Sequence, residues 1–77
     1  MNTVELVKLI AASLVDKPEA VEVREVDGPE SVVLELHVDQ DDMGKVIGKQ
    51  GRIAKSIRCV VKAATVKNEK PVFVEIV

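Results

Sequence analysis

The chain has 77 residues, of which 47% are hydrophobic and 31% are charged, with a net charge of −2. This composition is typical of one small folded domain rather than a disordered tail, and no apolar run approaches the roughly 20 residues of a membrane span. Glu5 stands where a signal peptide would be positively charged, so we expect a cytoplasmic protein. The single cysteine, Cys59, cannot form an internal disulfide, and we expect it to be a partly packed helix residue.

The first predicted element is a helix from about Asn2 to Val15, since apolar residues recur there at helical spacing. Asn2 is a suitable N-cap and Glu5 stands where a capping-box acid would reach back. Pro18 prevents the helix from continuing.

Two strands follow the helix. The first is predicted from Val21 to about Val26, with a bulge where its alternation slips, and residues 27–30 carry a turn signal. The second, Val32 to Val38, alternates cleanly between apolar and polar residues. His37, the only histidine, falls on its polar side. We expect a surface residue there, because no second histidine or cysteine completes a zinc set.

Three acids, Asp39, Asp41 and Asp42, follow the second strand but lack the regular spacing and closing glutamate of a calcium loop. We expect Asp41 or Asp42 to cap a short helix that begins near Met43. We expect no bound metal and no cofactor.

The stretch 46–53 contains a two-glycine loop. Gly48 and Gly51 lack a β-carbon, so both can adopt positive φ and both let another backbone come close. A run with helical periodicity begins directly after Gly51. The free N–H groups of a helix N-terminus favour an anion, and a phosphate is the natural guest.

The predicted helix after the loop has an apolar face and a cationic face. The apolar residues are Ile53, Ile57, Val60, Val61 and Ala64, and the basic residues are Arg52, Lys55, Arg58 and Lys62. Residues 43–68 contain seven basic side chains and no acidic one, whereas residues 1–42 contain three basic and eleven acidic side chains. Such segregation can steer a polyanion to one face of an otherwise acidic molecule.

A polar connector at residues 67–71 leads to a last predicted strand, Val72 to Val77, which contains Phe73, the only aromatic residue. The element order is therefore α-β-β-α-α-β. A Walker A loop is excluded, since Gly44 to Gly48 is one residue short and Gln50 replaces the magnesium-binding hydroxyl. The aromatic platforms of RRM domains are also missing.

The sequence V-I-G-K-Q-G-R-I-A at positions 46–54 resembles the V-I-G-x-x-G core of KH domains, whose GXXG loop binds single-stranded nucleic acid. The segments 14–21, 42–52 and 72–76 extend the resemblance to small bacterial KH-domain proteins over almost the whole chain. It implies an α+β fold for residues 1–77: a single type II KH domain with three helices on one face of a three-stranded mixed sheet.

The resemblance also implies a non-catalytic binder of single-stranded RNA with its loop at residues 48–51. The candidate RNA-binding residues are Lys45, Val46, Ile47, Gly48, Lys49, Gln50, Gly51, Arg52, Ile53 and Lys55. For Val46, Ile47 and Ile53 a place in the core is an equally good interpretation. Proteins of this family self-associate, associate with a larger KH protein and are regarded as RNA chaperones in post-transcriptional control, linked to cell elongation and division.

An alternative hypothesis is a protein-interaction subunit whose basic face docks an acidic partner. It gives no reason for glycine at both loop positions.

Overall fold

A computed structural model of the protein describes residues 2–65 and 70–77. The elements in chain order are α1 (Thr3–Leu14), β1 (Glu22–Asp27), β2 (Val32–His37), α2 (Met43–Ile47), α3 (Arg52–Ala64) and β3 (Val72–Ile76). Short 3₁₀ turns lie at Pro18–Ala20, Gln40–Asp42 and Lys49–Gly51. The predicted order α-β-β-α-α-β is confirmed. Part of the predicted connector, residues 67–69, lies outside the described residues.

The predicted Asn2 cap of the first helix is confirmed. Asn2 is the N-cap, and its side-chain oxygen accepts a hydrogen bond from the N–H of Glu5 at 2.8 Å. This contact satisfies one of the donors that every helix leaves free at its N-terminus. The helix ends at Leu14, four residues before Pro18.

The sheet is mixed, with β2 in the centre. β1 and β2 pair antiparallel without interruption from Glu22↔His37 to Asp27↔Val32, so the predicted bulge was wrong. β2 and β3 pair in parallel, from Val32↔Val72 to Leu36↔Ile76. A parallel pair needs a long crossover connection, and here α2, the glycine loop and α3 supply it.

The helices pack on one face of the sheet, because the buried apolar side chains of β2 and β3 and the half-buried Val23 of β1 all lie on that face. The core comprises Val7, Ala11, Val21, Leu34, Leu36, Val46, Ile57, Val61 and Val74. Nearly all of α1 and α3 that faces away from this core is exposed. No helix in the described part of the chain is long and apolar enough to cross a membrane.

Lys70 ties the start of β3 to the β1–β2 turn. Its Nζ atom donates a hydrogen bond to the carbonyl oxygen of Gly28 at 2.8 Å and forms an ion pair with Asp27. The contact fixes where β3 begins along the edge of the sheet. That edge forms one side of the candidate site.

Candidate nucleic-acid interface

The glycine loop joins α2 to α3 through three residues with left-handed φ. The N–H of Gly48 donates to the carbonyl of Gly44 at 2.9 Å and closes α2. Gly48 then has φ 71° and ψ 177°, Gln50 has φ 57° and ψ 26°, and Gly51 has φ 72° and ψ 15°. Glycine adopts such conformations at little cost, which explains the residue type at both ends of the loop.

Gly48 has a second reason to be glycine. A β-carbon built there would lie 2.6 Å from Cγ1 of Ile53, in the first turn of α3. At Gly51 a β-carbon would meet nothing within 4 Å. Ile53 therefore packs directly over the start of the loop, whereas the backbone at Gly51 is open to an approaching molecule.

The apolar residues of the predicted site divide into buried and exposed groups. Val46 is fully buried in the core, so its side chain supports the loop from beneath. Ile53 is half-buried over Gly48, and Ala54 is buried. Ile47 is 39% exposed beside the loop. Of the two interpretations, core packing therefore applies to Val46, whereas Ile47 is accessible to a ligand.

The four cations of α3, Arg52, Lys55, Arg58 and Lys62, are all exposed. Among the described residues, none of them forms an ion pair with a carboxylate. This face therefore keeps its positive charge available. The backbone of Lys49 lies in the turn Lys49–Gly51, and the exposed Gln50 follows it.

The predicted apolar face of α3 needs correction at its outer margin. Val60 is 45% exposed and Ala64 is exposed, while Ala54 is buried with Ile57 and Val61. The helix is covered by the sheet on one side only, so its apolar stripe extends past the buried part. Cys59 was predicted to be partly packed but is exposed.

Lys45 differs from the α3 cations, because acidic side chains surround it. Its Nζ atom forms an ion pair with Asp16 and lies 3.4 Å from Oδ1 of Asp42. The hydrogen bond to Asp16 raises the pKa of Lys45 above its usual value, and the attraction of Asp42 adds to this against the opposing effect of burial. The positive charge of this predicted site residue is thus already partly neutralised.

Asp42 is the buried carboxylate next to Lys45, with 2% of its surface exposed. It occupies the N-cap position of α2 without capping that helix through its side chain, so the predicted cap was wrong there. Its Oδ1 accepts from the N–H of Asp16 at 3.2 Å and its Oδ2 from the N–H of Lys17 at 3.1 Å. Asp39 instead caps the preceding turn by accepting from the N–H of Asp41 at 2.9 Å.

The sequence did not indicate the groove that runs between α3 and β3. It has a volume of about 350 Å³. It is lined by Arg58, Lys62 and Thr65 on one side and by Pro71, Val72, Phe73 and Val74 on the other. The element order is the sequence feature from which this groove could have been predicted. When the last strand is parallel to the central strand, it lies at the edge of the sheet, beside the helix that precedes it.

The outer edge of β3 presents backbone groups that do not pair with β2 to this groove. The N–H of Val32 donates to the carbonyl of Pro71 at 2.9 Å and the N–H of Val77 donates to that of Leu36 at 3.0 Å. In a parallel pair the polar groups of the alternate residues, 72, 74 and 76, therefore point away from β2. One of them, the carbonyl of Val74, accepts from Nε of Arg58 at 3.1 Å.

A glycine loop between two helices, both packed on one face of a mixed sheet whose last strand is parallel to the central one, defines a type II KH domain. The chain belongs to the KhpA/KhpB KH-domain family, whose model matches residues 4–76. A protein from Clostridium perfringens called RNA-binding protein KhpA is 68% identical over 73 residues, covering 95% of this chain and 97% of its own.

Relatives with the same name occur in other bacteria. Proteins with the same name are 62% identical in Caldanaerobacter subterraneus subsp. tengcongensis, over 95% of this chain and 97% of the relative, and 44% identical in Borreliella burgdorferi, over 97% and 92%. A crystal structure of an Aquifex aeolicus Era variant bound to GDP and AlF4⁻ superposes with a TM-score of 0.65 at 22% identity. The match covers 96% of this chain and 29% of that one, and it concerns the fold alone.

Proposed function

We propose that this protein is a non-catalytic, single-stranded RNA-binding protein that holds the RNA backbone at the loop 48–51. The observation that carries the proposal is the junction of the open, left-handed backbone at Gly51 with the exposed cations of α3, which pair with no carboxylate in the described part of the chain. A polyanion needs close backbone approach and positive charge at the same place. The relatives' name, RNA-binding protein KhpA, supports the RNA-binding part of this proposal.

In the proposed complex the phosphates lie over Gly48, Lys49, Gln50 and Gly51, where α3 begins. The free N–H groups of that helix terminus and the side chain of Arg52 stabilise the negative charge. Lys55 extends the positive surface along α3. Lys45 contributes less, because Asp16 and Asp42 already neutralise part of its charge.

The bases lie in the groove between α3 and β3. Its α3 wall carries Arg58, Lys62 and Thr65, and its β3 wall is apolar. The edge of β3 also offers donors and acceptors at positions 72 and 76 that a base edge can pair with. KH domains in general use such a groove instead of aromatic stacking platforms. Ile47 is exposed beside the loop, Ile53 packs against Gly48 and lines the separate groove between α1 and α3, and the buried Val46 holds the loop in place.

A single domain of this kind binds RNA weakly, so useful affinity requires a second module. We therefore propose self-association and association with a larger KhpB-like protein, in a cytoplasmic complex that acts as an RNA chaperone in post-transcriptional control and affects cell elongation and division. An exposed apolar groove of about 280 Å³ between α1 and α3, which includes Leu14 and Val60, supports self-association. Sedimentation equilibrium of wild type, Val60→Lys and the control Ala63→Lys tests this part.

The decisive experiment is binding to a mixed-sequence single-stranded RNA across a salt series. The double variant carries Lys49→Asp and Gln50→Asp. Two single charge reversals are compared with each other: Lys49→Asp in the loop and, as its control, Lys8→Asp, since Lys8 is an exposed lysine on α1. Log K for the wild type should fall with log salt at about 0.7 per phosphate contacted. The double loop variant should lose most binding while it remains folded, and Lys8→Asp should lose little.

Equal binding by wild type and loop variant, or no binding by either, would contradict this function. The alternative, an acidic protein partner on the basic face, would then be the better account. That alternative predicts capture of an acidic protein that depends on Arg52, Lys55 and Arg58 but not on the residues at 48 and 51. Pull-down with α3 charge reversals distinguishes the two.

A further inference from the structure

Asp42 joins two parts of the chain that are remote in sequence. Its carboxylate accepts the N–H groups of Asp16 and Lys17, which follow the end of α1 by two and three residues. The same carboxylate directly precedes α2, the short helix that ends in the glycine loop. The contact therefore connects the C-terminal end of α1 to the N-terminal end of α2.

The short helix α2 has no internal feature that holds it in place relative to the rest of the domain. The helix has five residues and no side-chain cap, and a helix of that length is not stable alone. Its place depends on tertiary contacts, and two are prominent: Val46 in the core at its C-terminal end and Asp42 at its start. The Lys45 ammonium adds a second connection, because it contacts both Asp16 and Asp42.

We propose that Asp42 is a positioning residue for RNA binding: by anchoring α2 to the residues after α1, it sets the distance and angle of the loop 48–51 relative to the cations of α3. The inference rests on the proposed RNA-binding function. Asp42 is only 2% exposed, so it acts in this proposal through the position of α2 and not through a contact of its own with RNA.

Whether substitution of Asp42 strengthens or weakens RNA binding distinguishes a positioning role from a purely electrostatic one. A carboxylate near a phosphate site repels RNA, so removal of its charge alone should strengthen binding. Loss of the anchor should weaken binding instead. Asp42→Asn removes the charge and leaves the amide group able to accept only one of the two backbone N–H groups, since its nitrogen is a donor.

Asp16→Asn is the matched control. It removes one negative charge beside the same lysine, but the Asp16 side chain is exposed and its backbone N–H still reaches Asp42. We expect Asp16→Asn to bind single-stranded RNA as tightly as the wild type or slightly more tightly. We expect Asp42→Asn to bind about tenfold more weakly in the same buffer.

The experiment measures RNA affinity by fluorescence anisotropy and amide hydrogen exchange by NMR for wild type, Asp42→Asn and Asp16→Asn. In free Asp42→Asn, exchange should accelerate at residues 43–53 while protection of β2 is retained. Exchange in Asp16→Asn should match the wild type. Asp42→Glu, which keeps the charge and both acceptors but displaces them by one methylene, serves if Asp42→Asn does not fold, and it too should bind more weakly.

Asp42→Asn that is folded and binds RNA as tightly as Asp16→Asn would overturn the inference. Faster amide exchange spread evenly over the whole domain of Asp42→Asn would also overturn it. If the wild type itself binds no RNA, the proposed function fails, and the exchange data alone decide whether Asp42 positions the loop.

Discussion

A β-carbon at Gly48 would lie 2.6 Å from Cγ1 of Ile53 and 2.9 Å from its Cβ and Cδ1, so the loop can begin only at a residue without a side chain. The backbone there, at φ 71° and ψ 177°, is also one that residues with side chains rarely adopt. We expect Gly48→Ala to lower the free energy of unfolding by about 2–3 kcal/mol, measured by urea denaturation.

Gly44→Ala is the control for this prediction. Gly44 lies inside α2, and a β-carbon there meets nothing within 4 Å, so alanine should be neutral or stabilise by up to about 1 kcal/mol. Adding Ile53→Ala to Gly48→Ala should recover part of the loss, since the two substitutions share one contact. Equal effects of alanine at positions 44 and 48 would show that Ile53 does not constrain the loop.

Gly51 is constrained by its backbone alone. Its φ of 72° and ψ of 15° lie in the left-handed region, yet a β-carbon would meet open space. Gly51→Ala should therefore cost about 1–2 kcal/mol and Gly51→Asn less, because asparagine tolerates this conformation. Thermal unfolding of both variants tests the order, and Asn as damaging as Ala would contradict it.

Asp42 should make the stability depend on pH in the acidic range. Burial raises the pKa of its carboxyl, but the N–H groups of Asp16 and Lys17 and the Lys45 ammonium outweigh burial, so the folded pKa lies below the usual value. A depressed pKa means that the stabilisation is complete above the unfolded value of about 3.9 and is lost as pH falls through the folded value.

The check is urea denaturation from neutral pH to about pH 2 for wild type and Asp42→Asn. The free energy of unfolding should decrease less steeply below about pH 4 in Asp42→Asn, because it lacks the titrating group. Asp16→Asn, whose backbone N–H still binds Asp42, should keep most of the wild-type slope. Identical acid slopes in wild type and Asp42→Asn would contradict the prediction.

Arg58 has two separable roles, one in the fold and one in the charge of the groove. Its Nε–H donates to the Val74 carbonyl on the open edge of β3, and its guanidinium adds to the cationic face. Arg58→Ala should lose about 1 kcal/mol of stability together with RNA affinity. Arg58→Gln keeps a donor that can reach this carbonyl, so it should retain more stability.

Both Arg58 variants should reduce the slope of log K against log salt by about 0.7 if the guanidinium contacts one phosphate. Binding titrations at several salt concentrations measure this slope. An unchanged slope in Arg58→Ala would show that Arg58 supports the edge of β3 without contacting phosphate.

The fold was predictable because its signals are local and periodic. Alternation in residues 32–38, helical spacing in α1 and α3, and the Asn2 cap all act within a few residues of the chain. The prediction of a bulge in β1 was wrong, because regular pairing with β2 outweighed the slip in the alternation of apolar and polar residues. The prediction that Cys59 is partly packed was wrong, because a helical wheel cannot show how much of the helix surface the sheet will cover.

The sequence by itself determined which residues are candidates for RNA binding: two glycines three positions apart, a helix with cations on one side, and acids confined to other segments. Only the tertiary structure decided which of them are free to act. It buried Val46, neutralised Lys45 with Asp16, and placed the edge of β3 beside Arg58. The contacts of Lys45 with Asp16 and of Arg58 with Val74 join residues 29 and 16 positions apart, and no local pattern in the sequence records such contacts.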